Sequence, residues 1–114
     1  MRKQILEDAA IDVATQVRVV EDTIDAALGE IAELQSRIMR ANSVARVGYG
    51  AAHPTLQQLA NAMTNLVATR GAIVECHSEL AAAKTKVPGL RTALIGDGDE
   101  CPPAFAATDL RIVA

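Results

Sequence analysis

Apolar residues recur along the first third of the chain at alternating spacings of four and three. The pattern continues without a miss from Leu6 to Ala45, longer than the three or four heptads that indicate a coiled coil. We therefore predict one long helix over about residues 3–47, with charged side chains such as Glu7 and Arg40 on its outer face. Positions a and d of its predicted seam are Ala10, Val17, Ile24, Ile31, Ile38 and Ala45, and Leu6, Val13, Val20, Ala27, Leu34 and Ala41.

A break follows this helix. Gly48 and Gly50 favour a turn, and Pro54 disfavours helical conformation at the residue before it. Thr55 begins the sequence Thr-Leu-Gln-Gln, which has the spacing of a capping box, although Pro54 at the first helical position is an alternative start. We predict a turn over residues 48–54.

The second helix is predicted over about residues 55–87, where Pro88 and Gly89 end it. Because the turn is short, the two helices should lie antiparallel. Residues 1–87 are thus expected to form an all-α, coiled-coil-like helical hairpin. Arg70 and His77 interrupt the apolar stripe of the second helix, which consists of Leu56, Leu59, Met63, Leu66, Val67, Ile73, Val74 and Leu80.

Residues 88–114 differ in kind from the hairpin and are predicted to form an extended C-terminal docking arm. Residues 108–114 alternate like an edge strand, so the arm has the pattern of one short β-strand. The second helix is shorter than the first, which leaves an N-terminal overhang without cover. Either Leu90, Leu94 and Ile95 fold back onto that overhang, or a partner subunit covers it.

Charge is distributed unevenly along the hairpin. Residues 1–46 carry fourteen charged side chains, whereas residues 47–69 carry none. A helix half lined with Gln, Asn, Thr and Ala is typical of a buried interface; the alternative is an alanine-rich helix that is neutral by chance. Apolar residues outside positions a and d also indicate a second contact surface. Leu28 widens the seam, Val19 lies outside it, and Ile11 and Met39 are expected to face away from it.

We therefore predict that hairpins associate into an oligomeric bundle, a homo-oligomer whose number of copies the heptads do not fix. The partners expected are proteins, namely further copies and a larger assembly. The expected interface residues are Val13, Val17, Val20, Ile24, Ile31, Leu34, Ile38, Leu59, Met63, Leu66, Ile73 and Leu80.

The sequence gives little support for a metal site. Cys76 and His77 are adjacent, so on a helix they point about 100° apart and cannot easily share one ion. Asp97 and Asp99 resemble the start of a calcium loop, but Thr108 stands where the bidentate Glu is needed. We expect no metal site and no cofactor.

Arg70 has two interpretations on the apolar stripe. It sets the register of the hairpin with Glu21, Asp25 or Glu30 as its counter-ion, or it extends its charged end past the edge of the seam into water.

Composition narrows the function classes. With only Tyr49 and Phe105 as aromatic residues, the available core suits helix-on-helix packing. A net charge of -3 argues against a nucleic-acid binder. There is no phosphate loop, activated serine or carboxylate pair in an apolar pocket, so we expect no enzyme.

The N-terminus lacks the apolar run of a signal peptide, and no stretch is apolar enough to span a membrane. The expected location is the cytoplasm or the inside of an assembled particle. The function expected is a non-enzymatic structural or adaptor subunit, with a phage virion as the leading context by analogy of build. The main alternative is a small cytoplasmic chaperone or regulator, and the last is a metal or redox sensor that uses Cys76 and Cys101.

Overall fold

Two helices make up most of residues 1–90, the part of the chain that the computed structural model describes. Helix α1 comprises the 44 residues Arg2–Ala45 and α2 the 36 residues Tyr49–Lys84. They form an antiparallel hairpin, which confirms the predicted all-α class. No strand occurs within residues 1–90; the edge strand predicted at 108–114, and the arm from residue 91 onward, lie outside the described residues.

Helix α1 ends at Ala45, two residues before the predicted end. Arg46 adopts the left-handed region with φ 54°, and its amide donates to the carbonyl of Ser43 while the amide of Val47 donates to that of Asn42. This pair of bonds is a Schellman motif. The helix therefore stops on an arginine in the position that glycine usually occupies, ahead of the Gly48 that was expected to end it.

Helix α2 begins at Tyr49, so the predicted turn at 48–54 and the capping box at Thr55 are wrong. The amide of Ala52 donates to the carbonyl of Gly48 at 3.0 Å, and Pro54 lies inside the helix. Pro54 lacks the amide that would bond Gly50. Gly50 is exposed, so water can satisfy its carbonyl, and the proline is tolerated near the helix start.

Helix α2 ends at Lys84, three residues before the predicted boundary. The next amides, of Thr85, Lys86 and Val87, each donate to the carbonyl three residues earlier, which tightens the chain beyond the helix. A turn follows, in which the amide of Leu90 donates to the carbonyl of Val87 at 3.1 Å and Gly89 has φ +94°. Proline followed by a glycine of positive φ is the pattern of a type II turn.

The hairpin divides into two compact units. The closed-end unit is Val19–Cys76 and contains the connection between the helices; the open-end unit combines Met1–Arg18 with the described residues from His77 to Leu90. Among the described residues, the buried apolar side chains are Ile24 in the closed-end unit and Leu90 in the open-end unit. The expected fold-back is thus confirmed for Leu90, and Leu94 and Ile95 lie outside the described part.

Candidate functional site

The predicted interface residues divide by exposure. Nine of the twelve are buried or half-buried, whereas Val13, Leu34 and Leu80 are 47%, 49% and 39% exposed. In α1 the half-buried set also includes residues of heptad position e, namely Glu7, Ala14, Glu21, Leu28 and Asn42. Position e lies only about 40° from a, on the side away from d. The less exposed stripe of α1 is therefore centred between a and e, which explains the exposure of Val13 and Leu34.

Because the less exposed stripe of α1 is centred between positions a and e, the environment of Met39 differs from the predicted one. Met39 was expected to face away from the seam, but it lines a groove of about 490 Å³ together with Leu56, Leu59 and Ala60 of α2. Position b borders the stripe once that stripe is centred between a and e. The groove also contains Ile31, Gln35, Met63 and Thr64, so its walls are alkyl chains with a few uncharged polar groups.

A second groove adjoins the first at the connection between the helices. It has a volume of about 240 Å³, and its lining includes Met39 and Leu56, which both grooves share, as well as Val47, Tyr49 and His53. Tyr49 is 95% exposed. Together these residues give the closed-end unit a continuous apolar surface.

An ion pair joins α1 and α2 within the closed-end unit. Nε of Arg70 donates to Oδ1 of Asp25 at 2.8 Å, and the two side chains are 53% and 55% exposed. The hydrogen bond from Arg70 lowers the pKa of Asp25, desolvation of the carboxylate opposes this shift, and the charge of Arg70 makes a lesser lowering contribution. Asp25, one of the three counter-ions predicted, therefore pairs with Arg70, which remains half exposed.

The open-end unit has its own groove, of about 210 Å³. Val13, Val17, Leu80 and Leu90 line it, and the half-buried His77 and Lys84 are also in its wall. Apolar side chains of α1, of α2 and of the turn at Leu90 thus meet at one groove, which fits the prediction that this end of the hairpin needs cover.

The grooves of the closed-end unit are lined mainly by apolar and uncharged polar side chains. None of the residues lining the 490 Å³ groove titrates near neutral pH. Within residues 1–90, no cluster of three or more His, Cys, Asp or Glu side chains is placed to hold a metal ion. Cys76 is an exposed free thiol, and Cys101 and the acidic stretch at 97–100 lie outside the described residues.

Two further observations complete the description of the chain. Neither helix in the described part is long and apolar enough to cross a membrane. The chain matches no protein-family model, no curated protein and no solved structure.

Proposed function

We propose that this protein is a non-enzymatic structural or adaptor subunit that associates with copies of itself through the hairpin and docks onto neighbours by its C-terminal arm, residues 88–114. The observation that carries the proposal is the exposure of apolar side chains. In residues 1–90, thirteen large apolar side chains are exposed, and only Ile24 and Leu90 are buried.

A hairpin of this kind is poorly stabilised by its own contacts. Helices in proteins depend mainly on the packing of their apolar faces, and fixing the backbone costs about 1–2 kcal/mol per residue. In residues 1–90, the two buried side chains and the half-buried seam residues offset only part of that cost. Packing against further copies removes more apolar surface from water, at roughly 25 cal/mol per Å². Self-association thus supplies the burial that the single hairpin lacks.

The context we propose is a repeated subunit of a larger particle, such as a phage virion, and a location inside that particle or the cytoplasm. The support is an analogy with the architecture of repeated subunits: a small acidic helical hairpin followed by a C-terminal segment suits a subunit that is used many times. A second function, a small chaperone or regulator, is favoured by the apolar grooves, because an apolar groove can also seat the helix of another protein.

Light scattering behind size exclusion tests the proposal directly on the full chain. We expect one defined mass that is a multiple of 12.0 kDa. A variant without residues 102–114 should keep the helicity of the hairpin and lose assembly onto larger structures. A monomer at every concentration contradicts the proposal, and a rise in melting temperature when a helical partner peptide is added to that monomer would favour the chaperone function.

A further inference from the structure

The groove of the open-end unit, about 210 Å³ in volume, is lined in part by Leu90, which belongs to the turn that follows α2. We propose that Leu94 and Ile95 of the same chain occupy this open-end groove. Residues 91–95 then belong to the hairpin, and the arm that docks onto neighbours begins after residue 95. The inference concerns cover within one chain and goes beyond the proposed self-association, which it does not require.

The turn after α2 brings the chain back against α1. The amide of Leu90 donates to the carbonyl of Val87 at 3.1 Å, and a Cβ on Gly89 would lie 4.0 Å from Cδ1 of Leu6 in α1. Leu90 itself is 7% exposed and forms part of the groove's wall. Because the next residue is bonded to Leu90, the chain continues from the wall of the groove itself.

Two larger apolar side chains of the open-end groove remain partly exposed. Val13 of α1 is 47% exposed and Leu80 of α2 is 39% exposed, and both line the groove. An alkyl side chain placed in the groove would remove apolar surface of both from water. Small side chains make up much of the remaining wall, namely Ala10, Ala14, Ala81 and Ala83.

The volume of the open-end groove suits side chains better than a separate ligand. An apolar cavity of about 150 Å³ accepts a molecule as small as benzene, and sites for drug-sized ligands measure about 300–1,000 Å³. At about 210 Å³, the open-end groove matches one or two aliphatic side chains.

The sequence after Leu90 supplies aliphatic side chains within reach. Leu94 and Ile95 are the first large apolar residues that follow it. Four residues of chain span at most about 14 Å. The lining residues of α1 run from Ala10 to Val17, which is about 10 Å of helix. Leu94 and Ile95 are therefore close enough in sequence to reach the length of the groove.

Covalent connection selects this segment over other occupants. A short flexible tether holds its segment at a nearby site with an effective concentration in the millimolar range. A second copy of the chain, or another protein, has to bind the open-end groove against that competition. The nearest apolar side chains on the same chain are therefore the favoured occupants.

Charge favours the same assignment. Lys84 is part of the wall of the open-end groove, and no acidic side chain within residues 1–90 lines it. Residues 91–100 carry one basic and three acidic side chains, so the segment that follows Leu90 is acidic on balance. Seating Ile95 in the groove brings the acidic stretch at 97–100 toward Lys84, and opposite charges attract.

Disulfide formation between introduced cysteines tests the assignment in the full chain. Cys76→Ala and Cys101→Ala first remove the native thiols. One variant then adds Val13→Cys and Ile95→Cys, and the control adds Val19→Cys and Ile95→Cys. Val13 and Val19 are 47% and 48% exposed but lie about 120° apart around α1. Since a disulfide needs Cα atoms within about 7 Å, we expect the Val13→Cys variant to cross-link at least about tenfold faster.

The size of the product identifies the chain that supplies the segment. A cross-link within one chain, which keeps the mass of 12.0 kDa under non-reducing conditions, supports the inference. Cross-linked dimers as the main product would assign the groove to a second copy and overturn it. Both variants are repeated with Leu94→Cys in place of Ile95→Cys. Equal rates for Val13→Cys and Val19→Cys in both series also overturn the inference.

Hydrogen exchange gives a second measurement that needs no introduced cysteines. Leu94→Ser combined with Ile95→Ser removes both aliphatic side chains, and Ile112→Ser combined with Val113→Ser makes a matched change further along the chain. We expect the first pair to accelerate amide exchange in residues 77–84 roughly tenfold, and the control pair to leave it unchanged. Equal exchange in the two variants would contradict the inference.

The outcomes separate this inference from the proposed function. Selective cross-linking within a chain that is monomeric at every concentration supports the inference while self-association falls. A wild-type oligomer whose variants show no selective cross-linking leaves self-association standing and overturns the inference.

Discussion

Within residues 1–90, each of the two units of the hairpin contains one buried apolar side chain, and the two side chains come from different parts of the structure. In the closed-end unit, Ile24 is buried at 8% exposure from the middle of a long helix. In the open-end unit, Leu90 is buried at 7% exposure from a turn that follows the second helix. The buried side chain of the closed-end unit thus comes from the periodic pattern of a helix, whereas that of the open-end unit comes from a turn that reverses the chain.

This difference has consequences for stability. The two helix segments of the closed-end unit are joined directly by the short connection at 46–48. The open-end unit brings together segments that are far apart in sequence, and closing a longer loop costs more chain entropy. Because its buried side chain also comes from a turn, we expect the open-end unit to open first in local unfolding.

The largest effect is expected from breaking the closed-end unit at its centre. Ile24→Asp places a charge at the buried seam position without a partner and should cost several kcal/mol, enough to unfold a marginal domain. Val19→Asp makes the same change at a position that is 48% exposed, where about 0.5 kcal/mol is typical. Circular dichroism during denaturant unfolding compares the two; equal losses would contradict the assignment of Ile24 to the seam.

Truncating the other buried side chain should act locally. Leu90→Ala removes most of the buried side chain of the open-end unit, and we expect a loss of about 2 kcal/mol, at the low end for a leucine at such a site. Hydrogen exchange should accelerate for amides in residues 77–84 and stay unchanged in residues 56–66. Equal acceleration in both segments would show that the two units open together.

Backbone strain gives a smaller pair of effects with opposite signs. Gly89 has φ +94°, and a Cβ there would lie 4.0 Å from Cδ1 of Leu6, so Gly89→Ala meets no clash but strains the backbone and should cost about 1 kcal/mol. Arg46 has φ 54°, so Arg46→Gly should relieve strain and gain up to about 1 kcal/mol. Thermal melts of both variants should therefore shift in opposite directions.

The smallest effect concerns the ion pair of the closed-end unit. The pKa of Asp25 lies below its ordinary value of 3.8 in the folded chain, so the pair stabilises above that value and its contribution disappears as pH falls through the folded pKa. The pair is half exposed, and we expect Asp25→Asn to lower the melting temperature only slightly at pH 6. The difference from wild type should close below pH 3.8. Asp22→Asn removes the same charge one turn earlier and serves as the control.

The periodicity of the sequence was sufficient to predict α1 and the helical hairpin, because a heptad pattern that extends over most of a helix outweighs local ambiguity. The predicted start of α2 was wrong for a local reason. Pro54 and the spacing of Thr55 and Gln58 imitate a helix start, and only the exposed carbonyl of Gly50 shows why the proline is tolerated inside the helix.

The sequence predicted only part of the apolar surface of the closed-end unit. The missing charges at 47–69 marked α2 as a candidate interface, but Met39 was assigned to the wrong side of α1. That assignment took the seam to lie between a and d, whereas the structure centres it between a and e. Which flank of a heptad faces its partner depends on how both helices are rotated, and one helix pattern does not contain that information.

The central claim, that the hairpin gains its stability from other copies of the chain, is tested most directly by the concentration dependence of thermal unfolding. Helicity is followed by circular dichroism at chain concentrations that span at least two orders of magnitude. We predict that the melting temperature rises steadily with concentration, because association stabilises the folded state by mass action. A melting temperature that stays constant over that range would contradict the claim and show that one hairpin folds on its own contacts.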